Sequence, residues 1–394
     1  MTTRIYYTDP ACREFDASVT AATTLEGRPA VVLDRTAFYP TSGGQPFDTG
    51  TLGSARVIDV IEEGNEVLHV LDAVVSTGTP VHGCIDWDRR FDHMQQHTGQ
   101  HVLSAAFEHG SGRRTISFHM GGDLSTVDLD REVSWPEIDA AVEAANRVAW
   151  EDRPVSIRFV SDAEAATLPL RKPPSREGTL RLIEVAGFDL SACGGTHVSR
   201  TGAIGMIAVT GAEKFKGGSR ITFACGARAL RVLRTYRDAV AGTVRVLSVL
   251  PPELPAAVEK LQQEAKDLRK SEARLQERLA VHEADQLFAS TPERDGARTI
   301  VEVVSGFDAP ALKAMASALA AKEKTIAALL SATTPALVVI ARSPDRAGDA
   351  SAILRQLISQ FGGKGGGKPD LAQGGGLNAE PAAILAALRR LILP

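Results

Sequence analysis

The chain has 394 residues, a length typical of two or three domains rather than one. With 44% hydrophobic and 23% charged residues, the composition excludes bulk disorder and collagen-like repeats. The formal net charge of −4 means that any affinity for nucleic acid must come from local basic patches. Four scattered cysteines do not form a disulfide framework, so we expect a reducing, cytoplasmic location. The sequence has neither a signal-peptide pattern nor a run of 18 apolar residues, and predicts neither export nor a membrane span.

Short β-prone runs separated by Gly, Pro and Asn turns fill the chain from Ile5 to about Asp88. They include residues 30–35, 55–61 and 66–75. This pattern is typical of a small barrel or sandwich, and it predicts an N-terminal β-barrel domain over residues 1–88.

Near Phe91 the apolar spacing becomes helical, and it continues until Gly110. Strand-like segments at 113–129 and 155–160 flank a predicted helix that starts around Pro136. Two more predicted strands, 203–209 and 219–225, are joined by a predicted loop over 210–218. Together these elements predict a second, α+β domain over residues 89–247.

A proline-rich hinge precedes a heptad of leucines at Leu254, Leu261, Leu268 and Leu275, which predicts a coiled-coil arm within 248–290. Beyond it, strand-like and helical segments alternate and predict a final α/β domain over 291–394. Residues 309–330 are predicted as one helix in that domain. The glycine tract at 362–376 is predicted as an ordered loop between two helices. The fold class is therefore α+β and multidomain.

Histidines concentrate on the helix of the second domain, where His93, His97 and His101 are spaced by four residues and share one face. Either neighbouring pair supplies half of a metal site. The motif CGGTH, ending in His197, supplies a thiolate from Cys193 and another imidazole. Sulfur with imidazoles favours zinc over magnesium or calcium. A zinc-protease motif is excluded, because Thr98 stands where such a motif needs a general-base glutamate.

Several ordered motifs carry a family resemblance. The motifs are YPTSGGQPFDTG at 39–50, HTGQHVLSAAF at 97–107, CGGTHVSRTGAIG at 193–205, KGGSRITFACG at 216–226 and FGGKGGGKPDLAQGGG at 361–376. With these motifs the chain resembles the free-standing alanyl-tRNA editing proteins, which are related to the editing half of alanyl-tRNA synthetase. The last motif resembles the C-terminal domain of the synthetase, which is shared with DHH-type phosphoesterases.

The resemblance implies a zinc ion held by His97, His101, Cys193 and His197, and it leaves His93 outside the ligand set. It implies hydrolysis of tRNA for alanine that carries serine, or else glycine, by mistake. Because little chain precedes residue 39, we expect editing in trans and no aminoacylation. It further implies that the C-terminal domain contacts the tRNA elbow, and it allows a homodimer through that domain.

Candidate substrate-binding groups are the hydroxyls of Thr98, Thr115 and Ser117, which could hydrogen-bond a misplaced serine. The pair on the predicted strand, Thr115 and Ser117, is preferred because alternate residues share a strand face. Gly43 and Gly44 would let backbone amides approach the substrate. No residue is assigned as catalytic, and zinc either activates water or positions the substrate.

Basic residues between 213 and 238 predict a local cationic patch for tRNA phosphates, although a solvated helix face is an equal alternative. Its proposed tRNA contacts are Lys214, Lys216 and Arg220. Lys364 and Lys368 of the glycine tract are candidate contacts as well, and the tract does not match a Walker motif. Two alternatives to an editing hydrolase remain: a noncatalytic tRNA-binding protein with a structural zinc, and another metallohydrolase.

Overall fold

The computed structural model describes residues 1–172 and 178–393, and the chain divides into two units after Gly242. Both units contain strands and helices, so the predicted multidomain α+β class is confirmed. In the described part of the chain, no helix is long and apolar enough to cross a membrane.

Strands in the first 85 residues close into a barrel because apolar side chains alternate along them. Phe15, Ala17 and Val19 are buried in its core, and exposed residues separate them in sequence. The strands are β1 (Thr3–Arg4), β2 (Glu14–Leu25), β3 (Arg28–Leu33), β4 (Arg35–Thr36), β5 (Gly50–Leu52), β6 (Ala55–Glu63), β7 (Glu66–Leu71) and β8 (Pro80–Ile85). The order around the barrel is β2, β3, β7, β6, β5, β8, and β1 pairs with β4 outside it.

The histidines lie on the long helix α1 (Trp87–Ser111). Asp86 caps its N-terminus by accepting a hydrogen bond from the Arg89 amide, and Gly112 ends it in the left-handed conformation, with φ 65°. Every residue from His93 to Phe107 is buried. Polar side chains on this stretch therefore face protein rather than water, and each needs a partner.

The described part of the first unit that surrounds α1 contains two antiparallel sheets and three helices, the last of which continues past Gly242. Its elements are β9 (Thr115–Met120), β10 (Ser125–Leu129), α2 (Trp135–Trp150), β11 (Val155–Val160), α3 (Asp162–Ala165), β12 (Leu180–Val185), β13 (Asp189–Ala192), β14 (Ile207–Phe215), β15 (Gly218–Cys225) and α4 (Gly226–Leu247). One sheet has the order β14, β15, β10, β9, and the other has the order β11, β12, β13. Between them lies a core built mainly from α1, α2 and β15.

The predicted loop over 210–218 is wrong, because β14 continues to Phe215 and pairs with β15. Only Lys216 and Gly217 form the turn, with φ values of 48° and 83°. A two-residue turn with both φ values positive matches the twist of a hairpin. The charged residues of this segment obscured the strand, because Glu213 and Lys214 are exposed near the end of a half-buried edge strand.

The second unit contains a long helix and a five-stranded sheet. Its elements are α5 (Leu254–Ser290), β16 (Arg298–Val304), α6 (Ala309–Ala320), β17 (Thr325–Ser331), β18 (Ala336–Arg342), α7 (Ala350–Phe361), β19 (Lys364–Gly367), β20 (Leu371–Leu377) and α8 (Pro381–Ile392). The sheet order is β16, β17, β18, β20, β19, and only β16 and β17 are parallel. Leu261, Leu268 and Leu275 on α5 are exposed, and the coiled coil stays a prediction.

Two predictions for this unit are wrong. The single helix over 309–330 ends at Ala320, and Thr325–Ser331 is a strand buried at every position. When an apolar run is buried on both faces, its hydrophobic residues show neither the two-residue repeat of a strand nor the 3.6-residue repeat of a helix, so the sequence cannot distinguish the two. The glycine tract is a hairpin of β19 and β20 rather than a loop, and β19 is its exposed edge strand.

Candidate metal centre

Four side chains from distant parts of the sequence meet at one point in the first unit. His97 and His101 come from α1, while Cys193 and His197 come from the loop that follows β13. Their ligand atoms all lie within 4.8 Å of one another. The Cys193 Sγ atom is 3.4 Å from the Nε2 atoms of both His97 and His197.

The outer nitrogen of each imidazole is held by a polar partner. The Nδ1 atom of His97 is 2.8 Å from Gln45 Oε1, and that of His101 is 2.9 Å from Asp189 Oδ2. The Nδ1 atom of His197 is 3.1 Å from the hydroxyl oxygen of Thr98. In the neutral rings that a metal requires, Nδ1–H donates to each partner and the three Nε2 lone pairs face the common centre.

Small residues and a fixed amide hold the CGGTH loop close to α1. Gly195 is required there, because a Cβ at this position would overlap the His97 ring. The Gln45 amide accepts a hydrogen bond from the Thr196 backbone and donates one to its hydroxyl. Gln45 therefore ties the loop to His97 and fixes the orientation of both.

Electrostatics favour a thiolate within this cluster. Burial raises the pKa of Cys193, but His97 and His197 lower it well below its usual value. Burial lowers the pKa of His101, yet Asp189 and Cys193 raise it to about 9, whereas burial lowers that of His197 to about 3. Burial also raises the pKa of Asp189, but its hydrogen bond to His101 and the charge of Arg171 lower it to about 2.

The donor set fits a zinc ion. Zinc binds thiolate sulfur at about 2.3 Å and imidazole nitrogen at about 2.0–2.1 Å, which puts tetrahedral sulfur and nitrogen neighbours roughly 3.5–3.6 Å apart. The sulfur–nitrogen separations of 3.4 Å are close to this distance. The ligands that would hold the ion are the four predicted from the sequence, and together they form a group able to bind a metal.

A cavity of about 850 Å³ opens beside the cluster. His97, His101 and Cys193 form part of its wall. The rest of the wall includes the aromatic residues Tyr7 and Tyr39, the backbone of Gly43 and the hydroxyl residues Thr115 and Ser117. A cavity of this size with a metal-binding wall is suited to the end of a large polar substrate.

Comparison with known proteins identifies the family. Residues 180–222 match the threonyl and alanyl tRNA synthetase second additional domain, 10–89 match the class II (A) tRNA synthetases, and 296–392 match the DHHA1 domain. Over 400 residues the chain is 31% identical to the alanyl-tRNA editing protein AlaX-L of Pyrococcus horikoshii, covering 98% of this chain and 96% of that protein. The chain belongs to the alanyl-tRNA editing family.

Two alanine–tRNA ligases are similar as well. That of Methanoregula boonei is 35% identical over 417 residues, covering 99% of this chain, and that of Pyrococcus furiosus is 33% identical over 398 residues, covering 95%. The chain spans 44% and 42% of their respective lengths. The resemblance drawn from the motifs is thus confirmed for the whole editing-protein sequence.

Of the predicted substrate residues, three line the cavity and two do not. Thr115 and Ser117 both line the cavity, as their shared strand face predicts. Gly43 lines it too, and Gly44 packs against the backbone of Phe118 on β9. Thr98 is fully buried, and its hydroxyl also accepts a hydrogen bond from the Val198 amide. Its contacts are those of a residue that positions His197.

The predicted basic patch is largely neutralised by ion pairs. Arg220 contacts Asp128 at 2.7 Å, and Lys214 contacts Glu132 at 2.8 Å. Arg228, which belongs to the same basic segment, is buried and paired with Asp92, so it is not available to a phosphate. Lys216 remains exposed at the hairpin turn, as Lys364 and Lys368 do in the glycine tract.

Sequence reasoning missed Gln45 and Asp189. Gln45 stands directly after the two glycines of the motif at 39–50, which was the available signal. Asp189 lies in the strand β13, which the sequence analysis did not predict. Without that strand, nothing placed Asp189 near the helix histidines.

Proposed function

We propose that this protein is a trans-editing hydrolase that removes serine, and to a smaller extent glycine, from mischarged tRNA for alanine. The cofactor would be Zn²⁺, held by His97, His101, Cys193 and His197. The observation that carries the proposal is the four-residue cluster in the wall of a cavity of about 850 Å³. The family to which the chain belongs supports it.

The reaction is hydrolysis of the aminoacyl ester. The oxygen of water adds to the carbonyl carbon, the bond from that carbon to the ribose oxygen breaks, and the ribose oxygen takes up a proton. When bound, zinc would supply positive charge that orients and polarises the reacting groups. No covalent enzyme intermediate is needed, because the Cys193 thiolate serves as a metal ligand.

The cavity hydroxyls explain how serine would be distinguished from alanine. Thr115 donates its hydrogen to the Ser104 hydroxyl at 2.7 Å, and Ser117 donates to Asp128 at 2.5 Å. Each therefore presents only lone pairs to the cavity, ready to accept from a serine hydroxyl. Alanine would leave these acceptors unpaired, which gives the selectivity that a second sieve requires.

The tRNA itself would be held by exposed cations rather than by the paired ones. Lys216 in the first unit and Lys364 and Lys368 in the second are exposed and suited to phosphate contacts. A homodimer through the C-terminal domain belongs to the same proposal and is measured by analytical ultracentrifugation.

A second candidate is a noncatalytic tRNA-binding protein with a structural zinc. It is favoured by the number of protein donors, since four ligands fill a tetrahedral site and leave no open position. In that case zinc removal would unfold the loop, and the purified protein would release no amino acid.

The test uses tRNA for alanine charged with serine, glycine or alanine and the full-length zinc-loaded protein. We expect rapid serine release and a stable alanyl ester, and the glycyl substrate, which also lacks the hydroxyl, should be hydrolysed more slowly than the seryl one. The paired variants Ser117→Ala and Thr115→Val should reduce the preference for serine over alanine while zinc content stays constant. Absence of release from all three substrates would contradict the hydrolase and favour the noncatalytic candidate.

A further inference from the structure

The buried arginines of this protein differ in whether they have a carboxylate partner. In the described part of the chain, the arginines that are more than nine-tenths buried are Arg90, Arg181 and Arg228, with 0%, 7% and 2% of their surface exposed. Burying a guanidinium away from water is costly unless an acid and hydrogen bonds compensate it. Each should therefore have a carboxylate partner.

Two of the three meet this expectation. Arg90 contacts Asp48 through Nε and Nη2 and also donates to two backbone carbonyls. Arg228 donates to Asp92 through Nε and Nη2, and its Nη1 donates to the Gly121 carbonyl. In both cases the charge is paired, and neither residue borders the large cavity.

Arg181 departs from this pattern. Its Nε donates to the carbonyl of Tyr7 at 2.9 Å, and its Nη1 donates to the carbonyls of Cys193 and Gly195 at 2.7 and 2.9 Å. Three of its five N–H groups are thus used, all by neutral acceptors. Its Nη2 has no hydrogen-bond partner, and no ion pair joins it to a carboxylate, among the residues that the structure describes.

The position of Arg181 shows where the missing acceptor would lie. The residue lines the cavity, and the carbonyls that it binds belong to the loop that contributes Cys193 to the metal cluster. The other two described arginines of this wall have carboxylate partners: Arg171 is paired with Asp189 at 2.6 Å, and Arg4 with Glu62 at 2.8 Å. A guanidinium with no carboxylate partner and a free Nη2 among the described residues therefore borders the same cavity as the histidine–cysteine cluster.

Resting on the proposed function, we propose that Arg181 binds the carbonyl oxygen of the scissile ester and stabilises the negative charge that forms there. As water adds to the carbonyl carbon, the π electron pair moves onto this oxygen, which accepts a hydrogen bond from Nη2. When the bond to the ribose oxygen breaks, the pair returns and the carboxylate forms. A charge-assisted donor in a buried site strengthens as the negative charge develops.

A terminal phosphodiester would offer the same acceptor chemistry. The structure favours the ester carbonyl, because Arg181 hydrogen-bonds directly to the ligand loop, whereas exposed Lys172 borders the same cavity and suits a phosphate. The two acceptors have different kinetic signatures. A contact with the developing oxyanion raises kcat, whereas a phosphate contact acts through KM.

The decisive variant is Arg181→Lys. A lysine has three N–H donors, enough for the three backbone carbonyls but none to spare for substrate. With seryl-tRNA for alanine, we expect kcat to fall by about 10²–10³-fold and KM to change less than about threefold. The zinc content should equal that of the wild type. The control Lys172→Met should raise KM and leave kcat unchanged.

A second variant separates a direct role from a structural one. Arg181→Gly should lose most activity, and added methylguanidinium should restore part of kcat at unchanged zinc content. A rate that falls only in proportion to lost zinc would overturn the inference, as would wild-type kcat in Arg181→Lys or an effect on KM alone. If the wild type releases no serine, the proposed function fails and this inference fails with it.

Discussion

The metal cluster and the glycine hairpin, formed by β19 and β20, are both rich in sequence signals, yet they fix their functional atoms by opposite means. In the cluster, Gln45, Thr98 and Asp189 each hold one imidazole by its outer nitrogen. In the hairpin, β19 is exposed at all four positions and pairs only with β20. One region presents oriented side chains, and the other presents backbone.

This difference determines how each region tolerates substitution. A site that depends on oriented ligands should lose metal affinity when a supporting contact is removed, because each imidazole is oriented by its own partner. An exposed backbone edge depends instead on the absence of side chains, so a single added methyl group changes what can approach it. The predictions below follow from this contrast, with the largest expected effect first.

Removing a ligand should have the largest effect. In Cys193→Ala, zinc binding and serine release should both fall by more than about 100-fold, since three imidazoles lack the thiolate charge. The measurements are zinc stoichiometry and the rate of deacylation. Cys12→Ala is the matched control, because Cys12 lies outside the cluster. Unchanged deacylation by zinc-free Cys193→Ala protein would contradict a role for the metal.

A methyl group beside His97 should act almost as strongly. In Gly195→Ala the new Cβ would overlap the His97 ring, so we expect the ring to be displaced and zinc to be lost. The control is the neighbouring Gly194→Ala, whose Cβ would meet Tyr7 Oη at 3.7 Å and Tyr7 Cε1 at 3.9 Å, which are ordinary contacts. Zinc titration of both variants checks this. Equal zinc affinity would mean that the loop does not depend on close packing here.

Weakening one supporting contact should have an intermediate effect. Asp189→Asn keeps an acceptor for His101 but removes the charge, and zinc affinity should fall by about 10–100-fold. Chelator competition measures this affinity. Asp152→Asn, which removes an exposed carboxylate paired with Arg200, should leave it unchanged. The same loss in both variants would point to a general charge effect.

Among the residues that the structure describes, His69 is a buried histidine without a carboxylate partner, and its contribution to the free energy of unfolding should fall as the pH falls. A histidine with a raised pKa, such as His101, would show the opposite dependence. Burial lowers the pKa of His69 from 6.5 to about 4, and its partner is the Thr36 hydroxyl. The neutral ring therefore contributes stability above pH 6.5 that is lost as the pH falls toward 4, at up to about 1.4 kcal/mol per pH unit. Urea unfolding of the wild type and His69→Gln should converge over this range. Parallel curves would refute the assignment.

In the glycine hairpin the expected effects are smallest. A Cβ at Gly366 meets nothing within 4 Å, so Gly366→Ala should fold normally and still weaken tRNA binding by roughly threefold, because the backbone edge is covered. Gly242→Ala, also in open space, is the control.

Replacing Lys364 and Lys368 with alanine should lower the slope of the logarithm of tRNA affinity against the logarithm of salt concentration by about one unit for each lysine. Unchanged filter binding would place the tRNA elsewhere.

Spacing on α1 could not choose the ligands, because His93, His97 and His101 repeat every four residues. The structure shows why His93 is excluded: it is buried outside the cluster, and its Nδ1 atom has no hydrogen-bond partner in the described residues. The family motif made the correct choice, since it records positions that folding brings together. The distant CGGTH loop was likewise predictable only as a motif.

The prediction of a basic patch from the charged residues was less accurate, because the sequence does not show which cations are paired with acids from other elements. Arg220 and Arg228 look like free cations in the sequence, but Asp128 and Asp92 neutralise them from other elements. The barrel strands were predictable because their alternation is regular. By contrast, β17 is buried on both faces and β19 is mostly glycine, so neither carries a period that identifies a strand.

The most direct test of the central claim is X-ray absorption spectroscopy at the zinc edge of the full-length protein. A site formed by His97, His101, Cys193 and His197 predicts one sulfur at about 2.3 Å and three nitrogens at about 2.0–2.1 Å. In Cys193→Ala the sulfur contribution should disappear. A wild-type spectrum with only oxygen and nitrogen neighbours, or one unchanged in Cys193→Ala, would contradict the account.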